Sequence, residues 1–300
     1  MYNKTRLFLR ARIIQTIRTF FINRGYLEVE TPVIIPAPAP EANIDAIKTE
    51  NGFLQTSPEL CMKRLLSAGY EKIFQICKCF RDAERGHLHL PEFTMLEWYR
   101  VEADYLNLMD ECQGMIKHVL KELNMGERIE YQGISIDLSH EWERITAKEA
   151  FKYLTNTTPE KAIDSGEFDE IMVSEIEPGL NTGKPVFLYN YPVSQAALSR
   201  VNKEDSGVAE RFELFMGGIE LANAFSELTD IDEQKKRFIE EAENRKNAGK
   251  TQYPFPEKFM NDLEHMPSSA GIAFGIDRFV MLLTNSATID EVVTFTPEKL

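Results

Sequence analysis

Two β-rich runs flanking a polar stretch too long for a tight turn constrain this chain more than any other feature. In IFQICKCFR (73–81), Phe74, Ile76, Lys78 and Phe80 alternate with Ile73, Gln75, Cys77 and Cys79, and EFTMLEWYR (92–100) is again built of β-formers. The pair reads as two antiparallel strands that carry DAERGHLHLP as a long loop at one end. On the second strand Glu92, Phe93, Glu97 and Tyr99 are expected on one face, with Met95 facing the other way only if a bulge intervenes.

Further strands follow at irregular intervals. ISIDL (134–138) and VFLYNYP (186–192) alternate, and FELFM and IELANAF (212–225) read as a hairpin closed by Gly217-Gly218, a pair suited to the positive φ of a two-residue turn. AGIAFGIDRFVMLL (270–283) places small residues in a strand that runs straight into a helix. Among them lie helical patterns. Residues 4–24 carry Leu7, Ala11, Ile14, Ile17 and Phe21 at three- and four-residue spacings before Gly25. Ser57-Pro58-Glu59 reads as a cap, a first-turn proline and a first-turn acid, and Thr146 with Glu149 forms a capping box. The proline-rich 27–42 stretch is expected to be a short strand and then extended chain. The 104–180 region is mainly helical and acidic, a candidate satellite, and 230–250 reads as a solvated charged helix. Antiparallel strands irregularly mixed with helices argue for an α+β sheet, not a parallel βαβ one.

Composition narrows the function. With 34 Lys+Arg against 48 Asp+Glu the formal charge is −14, poor footing for neutralising a phosphate backbone. No apolar run approaches a membrane span, and the first residues lack the uninterrupted apolar segment of a secretory signal, so a cytoplasmic protein is expected. Cys61, Cys77, Cys79 and Cys112 are expected to be free thiols, with no second pair beside Cys77-x-Cys79 to complete a metal site. There is no glycine-rich phosphate loop, so any nucleotide must be held by side chains.

Three segments carry candidate chemistry. Arg81 closes a strand just before the long loop, where a guanidinium fork can grip a phosphate. Glu220, Asn223 and Glu227 leave the Gly-Gly turn, and carboxylates beside a polyphosphate are what magnesium needs. Gly271, Ala273, Gly275, Asp277 and Arg278 combine small residues for close ligand approach with a fixed positive charge at a helix start. Taken singly, each has a plainer reading: a surface ion pair for either arginine, solvated carboxylates, and close packing for the small residues. His87 and His89 read as solvated loop residues.

In combination these segments resemble the three signature motifs of class II aminoacyl-tRNA synthetase catalytic domains, in their lysyl branch. GYLEVETPVIIPAP with Pro32 resembles motif one, FQICKCFRDAERGHLHLPEFTMLEWYR motif two and GIAFGIDRFVMLL motif three, while TSPELCMKRLL and GIELANAFSELTD match the lysyl branch between them. The chain is more similar still to a paralogous family, the elongation factor P–(R)-β-lysine ligases. Its catalytic-domain pattern starts within a few residues of Met1, leaving no space for an anticodon-binding barrel, and Ala273 stands where lysyl-tRNA synthetases have glycine. An extra methyl there would reshape the pocket beside the amino-acid backbone, which fits selection of a β-amino acid.

The resemblance implies an α+β fold with a class II synthetase-like antiparallel sheet flanked by helices. It implies one catalytic domain over 1–300, with a mainly helical insertion around 104–180 and no N-terminal anticodon-binding domain. The implied reaction activates a lysine-type amino acid with ATP and Mg²⁺ as an aminoacyl-adenylate and transfers it to a lysine of elongation factor P. Arg81 would hold the α-phosphate, Arg278 the γ-phosphate, and Glu220 the magnesium ion. Phe93 would stack on adenine, with Asp82, Glu84, Leu221 and Gly275 completing the nucleotide site. Ser57, Pro58, Glu59, Tyr99, Asn223, Glu227 and Ala273 would form the amino-acid pocket. Motif one implies a homodimer; tRNA is an unlikely partner and no membrane is involved.

Two positions depart from the family pattern. Ala83 stands where a glutamate usually reads adenine, with Glu84 one residue on, and Leu90 replaces an asparagine. Either Glu84 substitutes through a loop shift or backbone groups read the base. The alternatives left open are the same chemistry with α-lysine or another acceptor, and a silent synthetase-like regulatory module, which would be expected to have lost its charged site residues.

Overall fold

The computed structural model describes residues 4–196 and 198–300. Helix α1 (Lys4–Ile22) turns Ile13, Ile17, Phe20 and Phe21 inward, a stripe at helical spacing, and leaves Ala11 exposed. Gly25 then takes φ +77° and the Tyr26 amide donates back to the Phe21 carbonyl at 3.1 Å, ending the helix. The proline-rich stretch yields only β1 (Leu27–Glu28) and β2 (Ile34–Ile35), and β3 (Lys48–Thr49) and β4 (Gly52–Leu54) join β2 in a small separate sheet.

Helix α2 (Glu59–Ser67) starts a residue later than its cap pattern predicts, with Pro58 in the cap position, but the Ser57 hydroxyl still accepts the Glu59 amide at 3.0 Å. The long strands β5 (Lys72–Phe80) and β6 (Glu92–Val101) pair antiparallel without interruption, Ile73 opposite Tyr99 and Cys79 opposite Phe93. That regular register corrects one expectation. Phe93, Met95, Glu97 and Tyr99 share a face, whereas Glu92 lies on the other, where it pairs with Lys78.

The stretch after β6 divides between two cores. Helix α3 (Tyr105–Glu122) belongs to the main core through Leu108, Met109, Cys112, Met115 and Val119, and hairpin β7 (Arg128–Tyr131) and β8 (Ile134–Asp137) packs there too. Strand β9 (Glu143–Thr146) joins the main sheet. A capping box in which Thr146 and Glu149 bond reciprocally starts α4 (Ala147–Leu154), and α5 (Pro159–Ser165), α6 (Phe168–Ile171), a five-residue π turn and α7 (Glu177–Gly179) follow. These helices enclose a second apolar cluster around Phe151, Phe168 and Ile176, closed by Val186 and Leu188.

Strand β10 (Val186–Pro192) leads to the hairpin β11 (Val208–Met216) and β12 (Ile219–Ser226), whose turn glycines 217 and 218 take φ +61° and +75°. Helices α8 (Ile231–Asn247) and α9 (Glu257–Leu263) precede β13 (Ser269–Gly275), which runs directly into α10 (Ile276–Leu283). The eight-stranded sheet has the order β1-β5-β6-β13-β12-β11-β10-β9. Only its outer pairs, β1 with β5 and β9 with β10, are parallel. This is the antiparallel α+β sheet that the strand pattern predicts.

Alternation assigns each strand one apolar and one chemical face. Leu96, Trp98, Ile272 and Phe274 join α1, α3 and α10 in the main core, while Phe93, Glu97, Tyr99, Gly271, Ala273 and Gly275 face the opposite side. That side is covered only in part, by α2, α9 and Phe238 of α8. The gap they leave is the site.

Candidate active site

A cavity of about 600 Å³ opens over the β6, β13 and β12 face. Its position follows from the strand pattern, with one exception. On a regular strand Glu220 and Asn223 would point to opposite faces. Strand β12 steps from Ala222 opposite Leu214 to Glu220 opposite Phe215, so Leu221 is the extra residue of a bulge, and Glu220 and Asn223 both line the cavity.

One end of the cavity is basic. Arg81, at the end of β5, lies with its guanidinium carbon 5.1 Å from the Phe93 ring centroid and 3.8 Å from Glu84 at its nearest atoms. Ala83 sits at φ +58°, a left-handed conformation unusual for a residue with a side chain, and Glu84 beyond it faces the cavity while Asp82 does not. Asp82 is exposed, caps its neighbour Ala83 through its carboxylate, and donates its amide to the Asp45 carbonyl at 2.7 Å. Asp82, expected at the nucleotide site, thus lies outside the cavity lining. Arg278 donates to the Glu220 carbonyl at 2.8 Å and to its carboxylate at 3.0 Å, and approaches His89 at 2.6 Å. His89 is thus part of the cavity wall, contrary to the reading of a purely solvated loop residue. Burial and the Arg278 charge hold its pKa below the ordinary histidine value.

The other end is acidic and nearly dry. Glu97 accepts the Ser57 hydroxyl at 2.6 Å and the Tyr99 hydroxyl at 2.8 Å. Lys63 pairs with Glu59 one helical turn away and with Glu227 at 2.5 Å. Burial, reinforced by Glu59, pushes Glu97 up to about 8; burial pushes Glu227 to about 8 as well, against the pull of Lys63. Burial alone would lower the Lys63 ammonium, but Glu227 and Glu59 hold it above its usual value.

Glu227 lies behind the cavity wall and is not part of its lining; Pro58, also outside the lining, is buried beneath it. Glycine at 271 leaves room for this layer, because a Cβ there would collide with the Tyr99 ring and the Glu227 carboxylate. Asn223 accepts Arg211 Nε at 3.2 Å, and Arg211 also binds Glu213 at 2.6 Å. Ser57, Glu59, Tyr99, Ala273, Leu221 and Gly275 all line the cavity as predicted placements require.

Helix α8 is not merely a solvated surface. Arg237, Phe238 and Glu241 reach the cavity, and Arg245 is 1% exposed. Sequence reasoning placed Glu97 on the face of Phe93 and Tyr99 without naming it a site residue, and gave no role to Lys63 or Arg211. Lys63 was legible from its i,i+4 relation to Glu59 and Glu97 from its parity with Phe93 and Tyr99. Nothing in the sequence marks Arg211, whose partners come from three separate segments.

A basic end and an acidic end thus share one cavity over the antiparallel strands β6, β13 and β12. The family model for class II tRNA synthetases of the D, K and N type matches residues 2–299, and the chain belongs to that family. Within it, the chain is 39% identical over 310 residues to an elongation factor P–(R)-β-lysine ligase of Edwardsiella ictaluri, covering 98% of this chain and 95% of that protein. It is 36% identical over 318 residues to the protein of the same name from Buchnera aphidicola, covering 98% and 96%, and 38% identical over 306 residues to that of Yersinia enterocolitica, covering 96% and 94%.

Proposed function

We propose that this protein is a cytoplasmic ATP-dependent, AMP-forming ligase that activates (R)-β-lysine as an adenylate and transfers it to a lysine side chain of elongation factor P. One observation carries the proposal: the carboxylates of Glu59 and Glu97 line the same cavity as Arg81 and Arg278, with the buried Glu227 directly behind its wall. The acidic end suits an amino acid with two ammonium groups, and the arginines suit a triphosphate. The relatives' shared name supplies the amino-acid isomer and the acceptor.

In this reading Arg81 holds the α-phosphate and stabilises charge as the amino-acid carboxylate attacks in line, and Arg278 holds the γ-phosphate. Phe93 stacks on adenine, Gly275 and Leu221 allow close backbone approach, and Glu84 takes the place of the missing adenine-reading glutamate. Ser57, Tyr99, Asn223 and Ala273 shape the amino-acid pocket. Magnesium usually needs only one or two carboxylates together with substrate phosphates, and Glu220 on the cavity wall beside Arg278 meets that requirement. The ion would neutralise phosphate charge there.

The formal charge of −14 favours a protein acceptor over tRNA. Among the described residues no helix is long and apolar enough to cross a membrane. The chain works as one catalytic unit, with the helices of 147–179 flanking the cavity through Asp169. It works as a homodimer, supported by Leu27, Val33 and Ile34 of motif one, which are 50%, 42% and 49% exposed.

ATP–pyrophosphate exchange with (R)-β-lysine, (S)-β-lysine and α-lysine tests the proposal. Exchange strongest with (R)-β-lysine, followed by label transfer to elongation factor P, is expected. Preference for α-lysine would overturn the substrate assignment, and silence with all three would overturn the activity.

A further inference from the structure

The segment before β3 carries an acidic side chain that the scheme above leaves without a task. Glu41 lines the cavity, half-buried. The backbone around it is fixed by Arg245, which donates to the carbonyls of Glu41 at 2.7 Å, Ile44 at 2.8 Å and Thr251 at 3.0 Å, and to the Asp45 carboxylate at 2.7 Å. The Ala42 amide is held by Glu241 at 2.7 Å, and the Asp45 carbonyl accepts the Asp82 amide, one residue from Arg81. The loop is therefore rigidly tied to the strand end that carries Arg81.

The Glu41 carboxylate itself makes no hydrogen bond or ion pair among the described residues. The neighbouring acids are engaged: Glu59 by Lys63, Glu97 by Ser57 and Tyr99, Glu220 by Arg278, and Glu84 by Arg81. Asp169 also has no partner among the described residues, but it is exposed. Burial and then Glu59 push Glu41 up to about 7, Glu241 adds to the rise, and Arg81 and Arg211 oppose it. A carboxylate on a fixed backbone, free to take a partner and poised near neutral pH, has the properties of a general base.

We infer that Glu41 is the general base of the transfer step, accepting a proton from the acceptor's lysine ammonium. This rests on the ligase reading above. As the proton moves to Glu41, the freed amine nitrogen attacks the adenylate's carbonyl carbon and a C–N bond forms. The bond from that carbon to the phosphate oxygen breaks, and AMP leaves with its electron pair. The second proton on the nitrogen passes to the departing phosphate or to water, leaving a neutral amide. Adenylate formation needs no such base, because the attacking carboxylate is already ionised.

The half-reactions separate the roles. Adenylate is formed on the enzyme from ATP, Mg²⁺ and (R)-β-lysine, then mixed with elongation factor P or with hydroxylamine, an amine already neutral at pH 7. For Glu41→Gln the transfer rate to elongation factor P is expected to fall by about 100-fold, at least about tenfold more than the rate with hydroxylamine. The acid limb near pH 7 in the wild-type transfer profile should vanish in the variant, and Glu41→Asp should restore part of the rate. The hydroxylamine reaction also reports that the variant is folded. Equal loss with both nucleophiles would overturn the inference, as would normal transfer with a raised KM for the amino acid in exchange, which would make Glu41 an ammonium-binding residue. Absence of exchange in the wild-type protein would instead sink the ligase reading and this role with it.

Discussion

Lys63 Nζ lies 2.5 Å from Oε2 of Glu227 in an environment almost closed to water, the two side chains being 1% and 0% exposed. Glu59 completes the triad. Removing the central cation leaves buried carboxylates without compensation, which costs more than an intact pair contributes. Lys63→Met should lower unfolding free energy by about 3–5 kcal/mol at pH 8. The loss should shrink towards pH 5, where Glu227, pushed up to about 8, is protonated. Denaturant unfolding at both pH values checks this; a loss independent of pH would assign Lys63 a packing role only.

The raised carboxylates set a pH dependence for the ligand-free protein. Glu97 and Glu227 titrate near 8 in the folded chain, and the ordinary glutamate value applies once it unfolds. Between these values the folded state holds more protons, so stability falls as pH rises through that window. A decline of about 1–3 kcal/mol from pH 5 to pH 8 is expected, a small part of the two shifts taken together because both groups share Lys63 and Glu59. Lysine-type ligands, bringing ammonium groups to these acids, should stabilise most at the alkaline end. Thermal scans with and without (R)-β-lysine at pH 5 and 8 read both effects; rising stability with pH would refute the assignment.

Ala273 on β13 pairs with Asn223 of β12 on one side and Glu97 of β6 on the other, and it lines the cavity between them. One methyl group at such a point discriminates by about 1–3 kcal/mol. Ala273→Gly should therefore raise kcat/KM for α-lysine relative to (R)-β-lysine by about 10- to 100-fold. Pyrophosphate exchange gives the ratio directly, and an unchanged ratio would show that the methyl does not set selectivity.

If Leu27, Val33 and Ile34 meet a second copy, sedimentation at micromolar concentration should return twice the 34.5 kDa chain mass. Ile34→Glu places a charge in that contact and should shift the mass towards a single chain. A single-chain mass for the unmodified protein would refute the dimer.

Strand and helix identity were legible where local pattern and local chemistry agree. Alternation in 73–81 and 92–100, the Gly217-Gly218 turn and the Thr146–Glu149 box each depend on neighbours a few residues apart, and each stands in the structure as read. Parity was less secure. The strand holding Met95 is regular and the strand holding Glu220 has a bulge, and neither follows from local pattern because a bulge arises from pairing with a partner strand.

The sequence by itself determined the antiparallel α+β architecture and most of the side chains that meet at the cavity, since strand periodicity fixes which residues share a face. Tertiary structure alone decided their state: that Lys63 pairs with Glu59 and Glu227, that His89 joins Arg278, that Arg245 is buried beneath the Glu41 loop, and that Glu41 has no partner among the described residues. These contacts join segments far apart in sequence, Arg245 and Glu41 by 204 residues. No local pattern encodes the dielectric a side chain meets once those segments close around it.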